Sequence, residues 1–305
     1  MTAPAVAIGC LGEVMLELVA GQGSQATLGV AGDTYNTAVY LRHVAPELRV
    51  DYITGLGSDR FSQRIMKHMA GYGVGHSRVF MHPTRGPGLY AIETDDTGER
   101  SFTYWRSDAA ARALGDEDTP LLSGLLSGLT HVFLSGISLA ILPQDNRDRL
   151  FAALADFRAR GGIVAFDSNY RPHLWNDPEL ARRETERAWR SCDIGMPSVD
   201  DEQALFGDAN EDAVLARFAS YGILRGVLKR GALGPISFCG TTLARAEQPV
   251  KVVDTTAAGD SFNAGYLAEL LRGGDEQTAL KTGHDLATRV IGQRGAIIFK
   301  PEALA

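Results

Sequence analysis

The run Asp254-Thr-Thr-Ala-Ala-Gly-Asp260-Ser-Phe-Asn-Ala-Gly-Tyr-Leu267 combines a carboxylate, a turn of small residues and the start of a helix. Ala257, Ala258 and Gly259 carry little or no side chain, so their backbone N–H groups can approach a ligand closely. Phe262, Tyr266, Leu267, Leu270 and Leu271 recur at helical spacing, and Gly273-Gly274 supplies a stop. A helix opening on such a turn presents free N–H groups and the positive end of its dipole, which suits a phosphate. An isolated Asp260 would more simply complement that dipole, but the whole run favours a chemical role. Asp260 would orient and deprotonate an attacking hydroxyl, while the N–H groups of residues 257–260 stabilise charge on a transferring phosphoryl group. Each such donor typically contributes on the order of 10²–10³ in rate.

Two other clusters suit the same chemistry. Lys229 and Arg230 could hold nucleotide phosphates, although alone they would more often be a solvated rim. Asp200, Asp201 and Glu202 could hold Mg²⁺ through water, although an acidic helix start is the commoner explanation. No Walker A run is present, so this is not a P-loop protein. The glycines Gly71, Gly73 and Gly75 nearly form a dinucleotide fingerprint, but no strand precedes them, and they read as a helix stop and loop.

These groups must be positioned by a regular framework. Short buried strands are expected at 5–9, 50–54, 131–135, 162–167, 193–196 and 226–229, with a half-exposed strand at 13–20. Helices are expected from Thr34, over 61–72, 145–160, 178–191 and 200–221, and after Gly259. Residues 21–32 read as turn-rich. Strand–helix alternation indicates a mostly parallel sheet covered on both faces, with ligands at the carboxyl ends of its strands. Asp167-Ser-Asn169-Tyr-Arg171, Lys229-Arg-Gly231 and the Asp254 run all fall at such ends. Residues 89–93 and 100–106 form a separate hairpin around Asp95-Asp-Thr-Gly98. Its alternation puts Phe102, Tyr104 and Arg106 on one face, with Thr103 and Trp105 on the other. A ligand-facing lid would carry an arginine in line with two aromatics; a snorkelling arginine at a sheet edge is the alternative.

Composition narrows the classes. The chain has 305 residues, 45% of them hydrophobic, enough for one large α/β domain, 1–305, whose lid consists of insertions near 12–31 and 87–106. A net charge of -7 argues against a nucleic-acid partner. Cys10, Cys192 and Cys239 lack metal-ligand spacing and are expected to be reduced core thiols. Met1 to Ala7 does not read as a signal peptide, and no run is long enough for a membrane span, so a cytoplasmic protein is expected. Exposed lid strands would invite pairing into a homo-oligomer.

Asp254 to Leu267 resembles throughout the second signature of the ribokinase-like (PfkB) carbohydrate kinases, and Gly32-Asp-Thr-Tyr-Asn36 resembles their N-terminal sugar-binding motif, with Ala31 where a first glycine is usual. Leu89-Tyr-Ala-Ile-Glu-Thr-Asp, Thr97-Gly-Glu-Arg, Tyr104-Trp-Arg, Asn169-Tyr-Arg-Pro and Lys229-Arg-Gly-Ala extend the likeness over nearly the whole chain. Within the family they are most similar to the bacterial branch that acts on 2-keto-3-deoxygluconate. The resemblance implies a ribokinase-like three-layer α/β/α sandwich with a small β-sheet lid, ATP and Mg²⁺ as cofactors, a sugar acid as substrate and a place in hexuronate breakdown feeding the Entner–Doudoroff route. It assigns Asp260 as catalytic base and Ala257, Ala258 and Gly259 as the anion hole. Gly32, Asp33, Thr34, Tyr35, Asn36, Tyr90, Tyr104, Trp105, Arg106 and Arg171 fall on the sugar side, and Asn169, Arg171, Lys229, Arg230, Gly231 and Ala232 on the nucleotide side. Asp201 is the metal-side carboxylate, within Ser198-Val-Asp-Asp201, where the family's asparagine is replaced by Ser198. Arg106 and Arg171 suit a substrate carboxylate, which guanidinium meets with paired hydrogen bonds and a neutral-sugar kinase would not need. The rival readings are a fructokinase, ribokinase or nucleoside kinase, and a catalytically silent sugar-acid sensor on the same fold.

Overall fold

A computed structural model describes residues 6–21, 23–94, 100–243 and 251–300. The chain opens with β1 (Ala7–Leu11), β2 (Met15–Ala20), β3 (Ala26–Ala31) and, after the Asp33–Val44 helix, β4 (Arg49–Leu56) and β5 (Gly75–Met81). Next come β6 (Gly88–Thr94) and β7 (Arg100–Trp105), then β8 (His131–Ser135), β9 (Ile163–Asp167), β10 (Ile194–Gly195), β11 (Arg225–Leu228) and β12 (Ile236–Ser237). Eight strands form one sheet in the order β12-β11-β10-β9-β8-β1-β4-β5, parallel except for β12. Its interior strands β1, β8 and β9 are mostly apolar and buried, as cover on both faces demands, with polar residues at their ends.

Two cores flank this sheet. One gathers Phe166, Trp189 and Phe218 beneath the Gln144–Ala159, Pro178–Ser191 and Glu211–Ser220 helices. The other gathers Tyr35, Tyr52 and Tyr266 beneath the Asp33–Val44, Ala258–Leu271 and Glu276–Ile291 helices. The result is the expected α/β/α sandwich. A second sheet, ordered β3-β2-β6-β7, lies within residues 12–31 and 87–106. Its chain crosses to the large sheet at four places: 12–14, Gly32, 82–87 and Arg106. No helix among the described residues is long and apolar enough to cross a membrane.

Four local expectations need correction. The turn-rich 21–32 stretch contains β3, which pairs with β2 from Ala20↔Ala26 to Met15↔Ala31; its partner strand, more than its own weak pattern, makes it extended. β5 follows the glycine loop and was not anticipated, because its polar start looks unlike a core strand. Buried Arg78 anchors it there through Asp51 at 2.8 Å. The expected 200–221 helix is two helices, Val199–Phe206 and Glu211–Ser220, since Gly207 adopts the left-handed conformation (φ 77°) and Asn210 caps the second. Cys239 is exposed, unlike the buried Cys10 and Cys192. The hairpin turn Asp95–Gly98 lies outside the described residues, but β6 and β7 pair antiparallel as the hairpin requires.

Candidate active site

Strand ends and the small sheet enclose a cavity of about 650 Å³. The Ala258–Leu271 helix points its first turn into it, and Ala257, Ala258, Gly259 and Asp260 all line it. Ala257 caps this helix in the left-handed region (φ 60°), unusual for a residue with a Cβ. Asp254 holds the turn: one carboxylate oxygen accepts from the Thr256 N–H at 3.0 Å and its hydroxyl at 2.7 Å, and the other accepts from the Gly295 N–H at 2.9 Å. First-turn N–H groups have no acceptor within their own helix; the Ala258 N–H donates to the Thr255 carbonyl at 3.2 Å, and those of Gly259 and Asp260 are the donors the turn offers an anion.

Asp260 sits where the turn meets the Asp33–Val44 helix. Its side chain accepts from Asn36 Nδ2 at 2.8 Å, and its carbonyl accepts from the Thr37 hydroxyl at 3.1 Å. Burial pushes the Asp260 carboxyl up to about 8; the nearby charges of Asp33 and Asp167 add to that, while Asn36 and Lys229 oppose it. Such a carboxyl is poised to take a proton near neutral pH. Asp33 accepts from Asn169 Nδ2 at 2.8 Å and from the Ser135 hydroxyl. Asn169 also has positive φ (31°), so both non-glycine left-handed residues among those described line this cavity.

Beside the turn, Asp167 ends β9 and accepts from Asn263 Nδ2 at 2.6 Å and Lys229 Nζ at 2.8 Å. Lys229 directly follows β11, and its ammonium lies 3.7 Å from where a Cβ on Gly259 would stand and bonds Asn263 Oδ1 at 3.2 Å as well. Asp201 accepts from the Tyr170 N–H at 3.1 Å and lies 3.7 Å from Arg171. Burial, then the charge of Asp167, raises the Asp201 carboxyl above its ordinary value. Among the described residues no three His, Cys, Asp or Glu side chains form a metal cage. Mg²⁺ commonly uses one or two carboxylates plus phosphate and water, so the mutually repelling Asp201 and Asp167 fit it.

The small sheet supplies the opposite wall. Tyr90, Phe102, Tyr104 and Arg106 line the cavity from β6 and the end of β7. Tyr90 and Tyr104 lie side by side at 5.9 Å, and Tyr104 stacks on His173 of the large unit at 5.7 Å. Arg106 is 9% exposed, so it does not snorkel. Its guanidinium is paired with Glu13, which is 2% exposed.

Gly32, Asp33, Asn36, Arg171 and Gly231 also reach the cavity as expected, but five expected residues do not line it. Asp33 and Asn36 are three apart and share a helix face; Thr34 and Tyr35 are rotated away. Thr34 bonds the Tyr52 hydroxyl at 2.9 Å and Tyr35 bonds His68 Nδ1 at 2.7 Å, both inside the core. Trp105, between Tyr104 and Arg106 on a strand, points the other way and is 58% exposed. Arg230 turns to Glu211 at 3.1 Å, and Ala232 is exposed in the Gly231–Leu233 turn. Sequence reasoning placed Asp167 in a strand-end cluster without a role of its own, and passed over Glu13, His173 and Asn263. Asn263 had a signal, a polar residue three positions after Asp260 in an apolar helix; His173 and Glu13 had none.

The sequence profile of the pfkB family carbohydrate kinases matches residues 8–303. A 2-dehydro-3-deoxygluconokinase of Dickeya dadantii (strain 3937) is 46% identical, with 98% of each chain covered. The protein of that name from Escherichia coli (strain K12) is 44% identical over 95% of this chain and 96% of its own. Among solved structures, a PfkB protein from Polaromonas sp. JS666 superposes with a TM-score of 0.82 at 26% identity, covering 94% of this chain and 96% of its own. Fold, cavity and similarity agree, and the chain belongs to the pfkB family of carbohydrate kinases.

Proposed function

We propose that this chain is an ATP-dependent kinase that phosphorylates 2-keto-3-deoxy-D-gluconate at its primary hydroxyl, yielding the 6-phosphate and ADP. The observation that carries the chemistry is Asp260, a carboxyl raised to about 8 at an anion-binding helix start, in the same cavity as Tyr90, Tyr104 and Arg106. The substrate follows the name borne by relatives at 46% and 44% identity, and the cationic lining suits its carboxylate.

In this reading Asp260 takes the proton of the primary hydroxyl as its oxygen bonds to the γ-phosphorus and the bond to ADP breaks. The N–H groups of Gly259 and Asp260 hold the charge of the transferring group. Lys229 is anchored by Asp167 and Asn263 next to that turn, and Arg171 and Asn169 stand on the phosphate side. Asp201 and Asp167 would hold Mg²⁺ through water; the ion's contribution is to neutralise phosphate charge. Gly32, Asp33 and Asn36 would hold the sugar's hydroxyls. The small sheet serves as a lid within one domain, excluding water and limiting wasteful ATP hydrolysis. A cytoplasmic, self-associating enzyme of hexuronate breakdown completes the proposal.

The test is turnover of a substrate panel with ATP and Mg²⁺. ADP release should be far faster with 2-keto-3-deoxygluconate than with fructose or ribose. No release above background with the keto-acid would refute the reading, and faster release with a neutral sugar would replace it.

A further inference from the structure

All four crossings between the two sheets converge on one buried residue, Glu13. Glu13 lies in the first crossing, and Gly32, in the second, packs so closely on its carbonyl that a Cβ would collide with it. Gly88, just after the third, lies against Glu13 Oε1 so closely that a Cβ there would stand 2.5 Å from that oxygen. Arg106, the fourth, donates both Nε (2.9 Å) and Nη2 to the same Glu13 oxygen, Oε2. Among the described residues Glu13 Oε1 has no hydrogen-bond partner, although it is buried. Desolvation cancels most of the net gain of a buried ion pair, so a second carboxylate that replaces Glu13 can compete for the guanidinium. Arg106 lines the cavity and Glu13 does not, so an anion in the cavity meets the arginine and not its counter-ion.

We propose that Glu13 is the resident counter-ion of Arg106 and that the carboxylate of the bound sugar acid displaces it, which makes Glu13 the residue that limits how strongly an acid is preferred over a neutral sugar. The inference rests on the sugar-acid reading above. Once its guanidinium is engaged elsewhere, a buried Glu13 is left beside a second negative charge and takes a proton from solvent. The charged and titratable groups that reach Glu13 are Arg106, Arg112 from the Ala110–Ala113 turn, Asp33 from the Asp33–Val44 helix and Tyr52 from β4. Burial already raises the Glu13 carboxyl, opposed mainly by Arg106, and loss of that opposition favours the neutral acid. Acid binding is therefore coupled to proton uptake, and binding of an uncharged analogue is not.

Calorimetric titration of the full chain tests this with 2-keto-3-deoxygluconate and its methyl ester, in two buffers of different ionisation enthalpy at pH 7. Glu13→Gln keeps an acceptor for Arg106 but removes the charge. It should bind the acid about tenfold more tightly, change ester affinity less than about twofold and lower the proton uptake seen in the wild-type chain. Glu13→Asp, which keeps the charge but retracts it, should also tighten acid binding, by less, and serves if the first variant does not fold. Weaker acid binding in these variants would show that Glu13 merely aims Arg106. Equal shifts for acid and ester would show a purely structural role, and unchanged proton uptake would rule out displacement. If the wild-type chain neither phosphorylates the acid nor prefers it to the ester, the sugar-acid reading fails instead.

Discussion

Asp260 concentrates the chemistry at the scale of one residue. Its carboxyl is raised to about 8 in the ligand-free chain, first by burial and then by Asp33. The proposed base acts in its ionised form, so kcat/KM should climb about tenfold per pH unit below that value and level off above it. Asp33→Asn removes the second cause and should move this limb to lower pH, whatever it does to KM; a limb that stays in place would place the titrating group elsewhere. Asp260→Asn should lower turnover by about 10²–10⁴ while leaving sugar affinity within a few-fold, as transient kinetics can separate. The same shift has a stability consequence. A carboxyl raised on folding contributes stability below its unfolded value, and that contribution is lost as pH rises through about 8. Thermal melts should therefore show Asp260→Asn more stable than the parent at pH 9 and equal to it at pH 4.

At the scale of elements, the Ala258–Leu271 helix must be held still for its first turn to act. Its support is the Glu276–Ile291 helix, approached through glycines. A Cβ on Gly265 would meet the Thr282 carbonyl at 2.7 Å and the Gly283 Cα at 2.8 Å, both backbone atoms that cannot swing aside. Gly265→Ala should destabilise the fold by about 1–3 kcal/mol in denaturant titration and reduce turnover as the turn shifts. Gly259→Ala is the contrasting case on the same helix. Among the described residues its Cβ would have only Lys229 Nζ within 4 Å, at 3.7 Å, and alanine favours a helix over glycine. Melting temperature should hold or rise, while turnover falls because a methyl group enters the anion cradle. A Gly259→Ala enzyme with full activity would argue that the phosphoryl group does not sit there.

At the scale of the whole molecule, two sheets are joined by four crossings and meet again across the cavity, where Tyr104 stacks on His173. Tyr104 is 39% exposed, so its removal should cost little stability. If the small sheet closes as a lid, Tyr104→Ala should raise the sugar KM by about tenfold or more and increase ATP hydrolysis without sugar. A coupled ADP assay with and without sugar separates these effects; unchanged KM and unchanged background hydrolysis would count against closure through this contact.

What could be read along the chain was whatever one segment specifies by itself. The apolar strands, the helix after Gly259, the small-residue turn and the alternation that sets Tyr104 and Arg106 against Trp105 are all local patterns, and the structure keeps them. The PfkB resemblance was legible for the same reason, since its motifs are short runs at element ends. Tertiary structure decided whatever depends on partners distant in sequence. β3 is a strand because β2 lies beside it, and Thr34 and Tyr35 turn inward because Tyr52 and His68 await them. Lys229 faces Asp167 and Asn263, and Arg106 meets Glu13 across 93 positions of chain. A side chain's neighbours are set by how the layers pack. Sequence alone therefore marks which groups can do phosphoryl transfer, while only the packed sandwich brings Asp260, its pKa-raising neighbours and the paired Arg106 around one cavity.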